Sequence, residues 1–226
     1  MQISVLIPYI LYISLPILVV YLGYLIVTKA FNDMGFSSFE AIVIVFVCFL
    51  FGYGILNFGG FEFNNIYLFS YGNWRVGINT GGAIIPVILS VYLVVKNKIS
   101  LQKIGIGIFF VSIVTYLVTS PDPQRGIISQ FPFWLLPVFC ASLCSLFLLW
   151  KQKHKAAPFA YICGTLGVLI GADVFHLITL LSMHISKPSS AIIGGAVVFD
   201  MVFITGILAV IVDGMFIYQK RFGQKT

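Results

Sequence analysis

Long apolar stretches alternate with short polar ones along the whole chain. Runs of roughly 18 or more apolar residues recur, the length at which a helix crosses a hydrocarbon layer of about 30 Å. The pattern predicts an all-α, polytopic transmembrane helix bundle, a single integral membrane domain over residues 1–226. Seven spans are expected, at 4–28, 39–57, 77–95, 101–119, 132–150, 157–182 and 190–212. The polar segments test that count. With the N-terminus outside, the inner segments carry Lys29; Lys96, Lys98 and Lys103; Lys151, Lys153 and Lys155; and Lys220, Arg221 and Lys225. The outer segments hold only Arg75, Arg125 and Lys187. Short loops with excess Lys and Arg stay cytoplasmic, so the alternation predicts an N-out, C-in topology.

Composition agrees. The chain is 60% hydrophobic and only 9% charged, against roughly 25% charged in soluble domains. The net charge of +6 follows from topology, so the lipid bilayer is an expected partner and nucleic acid is not. The first run lacks a charged leading region and a small-residue cleavage site, and reads as a retained span. Cys48, Cys140, Cys144 and Cys163 all lie inside apolar runs. They read as packing residues, with neither a disulfide framework nor metal spacing.

The outer segments at 57–74 and 120–134 are rich in Gly, Pro, Asn and aromatics. Tyr67, Tyr71, Trp74 and Trp134 suit an interfacial belt. The other reading is a re-entrant segment or lid over an externally open cavity.

Two carboxylates interrupt the apolar pattern, Asp173 in GVLIGADVFHLITLL and Asp200 in GGAVVFDMVFITGIL. Each lies about ten residues from the short outer loop HISKPS, so helices through both would put them roughly 15 Å deep, at the midplane. No Lys or Arg falls within either span. An ionised Asp at that depth costs about 2.5–3.5 kcal/mol, and two close together cost more, so at least one is expected to be protonated. One bland role exists, a neutral Asp bonding a neighbouring helix. Two at one depth point instead to a functional site.

His176 lies one helical turn from Asp173 and is expected either to bond the carboxylate, to relay protons, or simply to pack. Asp-x-x-His with Asp200 would make three metal ligands, but the spacing is a weak signal; no metal and no cofactor are expected. Gly164, Gly167 and Gly171 form a small face on the sixth span, and Ala191, Gly194, Gly195, Thr205 and Ala209 form one on the seventh. If these faces pack on each other the aspartates diverge; if each packs on another helix they can meet. GGAIIP (81–86) also matches GGAVVF (194–199), a trace of a parallel repeat or a convergence on tight packing. Pro86 removes a backbone donor, and with Asn79 and Thr80 is expected to line a polar cavity or merely to kink the span.

GINTGGAIIPVILSVYL, TSPDPQRGIISQFPFWLLP, GTLGVLIGADVFHL and SAIIGGAVVFDMVFITGILAV, in that order, resemble the membrane family designated domain of unknown function 1614, over roughly residues 75–212. The resemblance implies a multi-pass protein of a prokaryotic cell membrane and names no reaction. In architecture the chain is also similar to intramembrane aspartyl proteases of the presenilin and signal peptide peptidase type, with one Asp on each of two adjacent spans. It departs in motif. Their Gly-x-Gly-Asp is here Ile170-Gly171-Ala172-Asp173, their Tyr-Asp is Phe199-Asp200, the order is reversed, and no Pro-Ala-Leu follows.

Three functions fit these residues. The first is an aspartyl protease acting on a membrane-embedded helix, with Asp173 and Asp200 sharing an activated water. The second is a proton- or cation-coupled transporter using the same aspartates. The third is a non-catalytic protein whose aspartates lock helices together. The sequence specifies neither substrate nor oligomeric state.

Overall fold

The computed structural model describes residues 3–55, 57–58, 61–195 and 200–222, with side chains at 12–55, 63–195 and 200–216. Helices dominate: α1 (Ile3–Asp33), α2 (Ser38–Gly52), α3 (Ile85–Asn97), α4 (Leu101–Val118), α5 (Leu136–Leu148), α6 (Ala156–Val168), α7 (Phe175–Ser182) and α8 (Met201–Phe222). Four helical stretches are long and apolar enough to cross a membrane: Tyr12–Asp33, Thr80–Asn97, Leu101–Val118 and Lys153–Ser182. Ser38–Gly52, Phe133–Leu148 and Met201–Phe216 are apolar but shorter. Side chains such as Ile17, Leu117 and Phe147 point outward and are exposed, as lipid-facing residues are.

α6 is the central post. It packs against α3, α4, α5 and α8, and Phe159, Tyr161 and Ile162 on it are fully buried. Lipid tails are as apolar as leucine, so small residues that let backbones approach hold such a bundle together. A methyl on Gly164 would sit 3.2 Å from the Thr205 carbonyl of α8, whereas Gly167 and Gly171 abut Val111 and Ser112 of α4. The small face of the sixth span is therefore shared between two neighbours.

The lysine-bearing segments meet at one end of the bundle. Lys96 Nζ donates to Gly35 O (3.1 Å), Lys103 Nζ to Leu148 O (2.7 Å) and Lys155 Nζ to Lys98 O (3.0 Å). Strands occupy the opposite end. Two short ones, β1 (Asn57–Phe58) and β2 (Phe61–Glu62), pair with each other. A three-stranded sheet joins β3 (Asn65–Tyr71), β4 (Trp74–Asn79) and β7 (Ser189–Ile193) in the order β3-β4-β7. β5 (Thr119–Asp122) and β6 (Gly126–Ser129) form a hairpin. β4 and β7 run parallel, from Trp74 opposite Ser189 to Ile78 opposite Ile193.

This cap corrects two expected spans. The third does not start as helix at 77, because β4 continues to Asn79 and a π-helical turn, Thr80–Ile84, precedes α3. The seventh does not start at 190, because β7 occupies Ser189–Ile193 and α8 starts at Met201. Short runs of Val, Ile and Gly are apolar enough to extend a hydropathy window yet pair as strands when a partner lies alongside. Residues 196–199, which include the end of the GGAVVF match and Phe199, lie outside the described residues.

Candidate functional site

Asp173 lies in a π-helical stretch, Leu169–Val174, between α6 and α7. A π turn takes in more residues than an α turn and re-aims the side chains that follow, and such turns are frequent at functional sites. Counting faces at 100° per residue therefore fails here. Asp173 Oδ2 accepts a hydrogen bond from the Gly194 amide at 2.7 Å. Gly194 follows β7 with φ +69°, a left-handed conformation that glycine adopts without steric cost.

Asp200 stands at the start of α8, where its carbonyl accepts from Ile204 N (3.0 Å). It is the N-cap residue, not a mid-helix residue as its expected depth required. Free N–H groups and the helix dipole stabilise an anion at that position. The two carboxylates are near enough to interact electrostatically, and both line the same two cavities. One, of about 370 Å³, lies between β7 and the β5–β6 hairpin and is bordered by Trp74, Gln124, Arg125, Ser190, Ile192 and Gly195. The other, of about 330 Å³, is bordered by Thr119, Ser129, Trp134 and Ile204. The sizes suit a small ligand or a few residues of peptide.

The expected supporting residues divide. Gly194 holds Asp173, and Gly195 lines the larger cavity. His176 is bonded to α4: its Nε2 lies 3.3 Å from Tyr116 O and 3.1 Å from Thr119 Oγ1, its ring is stacked on Tyr116, and Thr119 itself borders the smaller cavity. The π turn gives it to α4. Asn79 and Thr80 line neither cavity, because the backbone of the cap claims them. Asn79 accepts from Gly82 N (2.7 Å) and donates to Gly52 O (3.1 Å) and Asn65 Oδ1 (3.0 Å); Thr80 Oγ1 donates to Phe63 O (2.7 Å). Pro86 sits in the first turn of α3, directly after the π turn Thr80–Ile84, and borders neither cavity. Gly171 packs on α4, and Thr205 is buried against α6. The two Gly-Gly pairs do meet, Gly194 lying against Gly82 and Ala83. Strand register, however, pairs Ile78 with Ile193, two residues out of step with the sequence match.

Sequence reasoning missed the cap residues. Trp74, expected in an interfacial belt, is 3% exposed and donates from Nε1 to Met183 O (3.2 Å). Arg125 places a cation on the wall of the cavity that holds both carboxylates. Its turn is fixed by Asp122, whose Oδ1 accepts from Gln124 N (2.8 Å) and Arg125 N (2.9 Å) and whose carboxyl those bonds hold below the usual range. A third carboxylate, Asp213 on α8, is fully buried. The only available signal was a charge inside IVDGMF, just past the expected end of the seventh span. Among the described residues no three of His, Cys, Asp and Glu come together in a metal-holding group.

Residues 61–212 match the family model DUF1614, described as a protein of unknown function. No curated protein and no solved structure matches the chain. The matched region takes in the whole β3-β4-β7 sheet, both aspartates and the hairpin over them. The chain belongs to the DUF1614 family.

Proposed function

We propose that this DUF1614 protein is an intramembrane aspartyl protease, a multi-pass protein of a prokaryotic cell membrane with its lysine-rich end in the cytoplasm. The observation that carries the reading is that Asp173 and Asp200, from separate elements, border the same two cavities. The edge strand β7 adds to it. Within the described residues one side of β7 pairs with β4 and the other has no strand partner, while Ser189–Ile192 border the larger cavity. A free strand edge binds an extended peptide through main-chain hydrogen bonds, so a substrate helix unwound at this cap would lie across the carboxylates.

In the proposed reaction Asp200, at the helix N-terminus, is the base and Asp173 the acid. A water between them loses a proton to Asp200 as its oxygen attacks the scissile carbonyl carbon. Asp173, with Oδ2 held by Gly194, gives its proton to the carbonyl oxygen. The resulting gem-diol collapses as the C–N bond breaks. Asp200 passes its proton to the departing nitrogen, and Asp173 recovers one from the diol. General acid–base assistance of this kind contributes about 10²–10⁴-fold.

The test is incubation of the purified protein with synthetic transmembrane peptides carrying a central Gly or Pro, in heavy-oxygen water. One heavy oxygen in each new C-terminus, absent with Asp173→Asn and with Asp200→Asn, is the expected result. No cleavage by the wild type, or cleavage that survives both substitutions, overturns the reading.

A further inference from the structure

Asp213 is outside the site just described. It is 0% exposed, and neither carboxylate oxygen has a hydrogen-bond partner among the described residues. The Ser145 hydroxyl beside it donates instead to Ala156 O, at 3.1 Å. Orphaned buried polar groups are rare and call for an explanation, and an ionisable group inside a membrane bundle is a functional candidate in its own right.

The groups around it form a series. From α1, Asp33 faces Asp213 and is itself paired with Lys29 at 3.1 Å, both partly open to solvent at the lysine-bearing end. From α5 comes Ser145. In the other direction, Ala209 and Thr205 follow at four-residue intervals on the same face of α8, and Asp200 stands at its start. Thr205 Oγ1, and on α6 Thr165 Oγ1 and Tyr161 OH, are also buried with no well-formed hydrogen bond among the described residues, Tyr161 OH and Thr165 Oγ1 lying near enough to interact with each other. Thr165 and the Tyr161 ring both press on Gly206. Between these hydroxyls and Asp213, Ser142 Oγ donates to Ala209 O at 2.9 Å. The three hydroxyls thus lie along the α6–α8 seam, between one carboxylate near the basic end and two under the cap.

A hydroxyl donates and accepts at once and rotates freely, and water fills gaps between buried polar groups. We propose that Asp213 is a proton-binding site and that the Tyr161, Thr165 and Thr205 hydroxyls conduct protons between it and the Asp173–Asp200 pair. The path is about 20 Å long, from the α-helical rise of 1.5 Å per residue. In one passage, Asp213 takes a proton from hydronium at the basic end, leaving water. Each hydroxyl or water in the file gains one proton and releases one. The ionised carboxylate of the pair receives the last and gives a proton up to water in the cavity it borders, which returns the file to its starting state. No electron moves, and one charge crosses the seam.

The test uses the full-length protein in lipid vesicles with a pH-sensitive dye inside and a potassium diffusion potential across the membrane. No peptide substrate is present, so the outcome is independent of proteolysis. Wild type should carry proton flux above empty vesicles, and Asp213→Asn should lower it at least tenfold. Thr205→Val, which removes only the hydroxyl, should lower it as well and serves as the readout if the Asn variant fails to fold. Wild-type flux no greater than that of empty vesicles, or undiminished flux in either folded variant, overturns the proposal.

Discussion

The Gly194 amide donates to Asp173 Oδ2 at 2.7 Å. That bond joins the π turn between α6 and α7 to the residue after β7, and so fixes a carboxylate against the strand edge beside it. An asparagine side chain also offers an oxygen acceptor, and an alanine offers none. Asp173→Asn should therefore keep the fold, while Asp173→Ala leaves a buried N–H unpaired at about 1–3 kcal/mol. Thermal unfolding in detergent compares them; equal losses would show that the bond is not holding the turn.

Gly194→Ala should destabilise more than its size suggests. Its φ of +69° costs a non-glycine residue about 1–2 kcal/mol, and the new methyl would meet Gly82 backbone at 2.7 Å. Gly105→Ala is the control, since nothing lies within 4 Å of its Cβ position; there alanine should gain about 0.5–1 kcal/mol of helix stability. Paired unfolding curves decide, and similar behaviour of the two variants would refute the close approach.

Asn79 holds α2, β3 and the first π turn together through three hydrogen bonds. At about 1 kcal/mol for each net bond, Asn79→Ala should cost about 2–3 kcal/mol. Hydrogen exchange should localise the loss to the cap, at the Gly82 amide first. Uniform loosening of the bundle would contradict that assignment.

The turn that carries Arg125 should respond to acid. Two backbone N–H groups hold the Asp122 carboxyl below its ordinary range, so its folded pKa lies under the unfolded value of about 3.9. For a depressed pKa the stabilisation is present above the unfolded value and disappears as pH falls through the folded one. Protection factors of the Gln124 and Arg125 amides, corrected for intrinsic exchange, should hold down to about pH 4 and drop below it. Asp122→Asn should remove that dependence.

Hydropathy made most of the helical bundle legible, because long apolar runs separated by short lysine-bearing segments mark helices independently of how they pack. α4 and α5, expected at 101–119 and 132–150, end within about two residues of that reading. What escaped was everything decided by a distant partner. SSAII becomes a strand only because WRVGI lies parallel to it. Missing that pairing moved the seventh helix about eleven residues too early. The same slip put Asp200 in mid-helix and left Asp213 beyond the expected end of the last helix. Both aspartates of the pair were nonetheless visible as candidates, since a carboxylate in an apolar run stands out without any fold. The direction of His176 was not, because nothing local announces a π turn.

The parallel pairing of β4 with β7 also governs when the site can exist. Parallel neighbours need a crossover, and here the crossover is the whole of α3 through α7. During synthesis β4 is made and inserted long before its partner, and non-local contacts of this kind form late. Until residues 189–200 emerge, the site has only one carboxylate, Asp173, with no donor from Gly194 and no strand edge beside it. A chain that stops before β7 thus lacks Gly194, the strand edge and Asp200 together, and the last segment made is the one that completes the cavity the two carboxylates border.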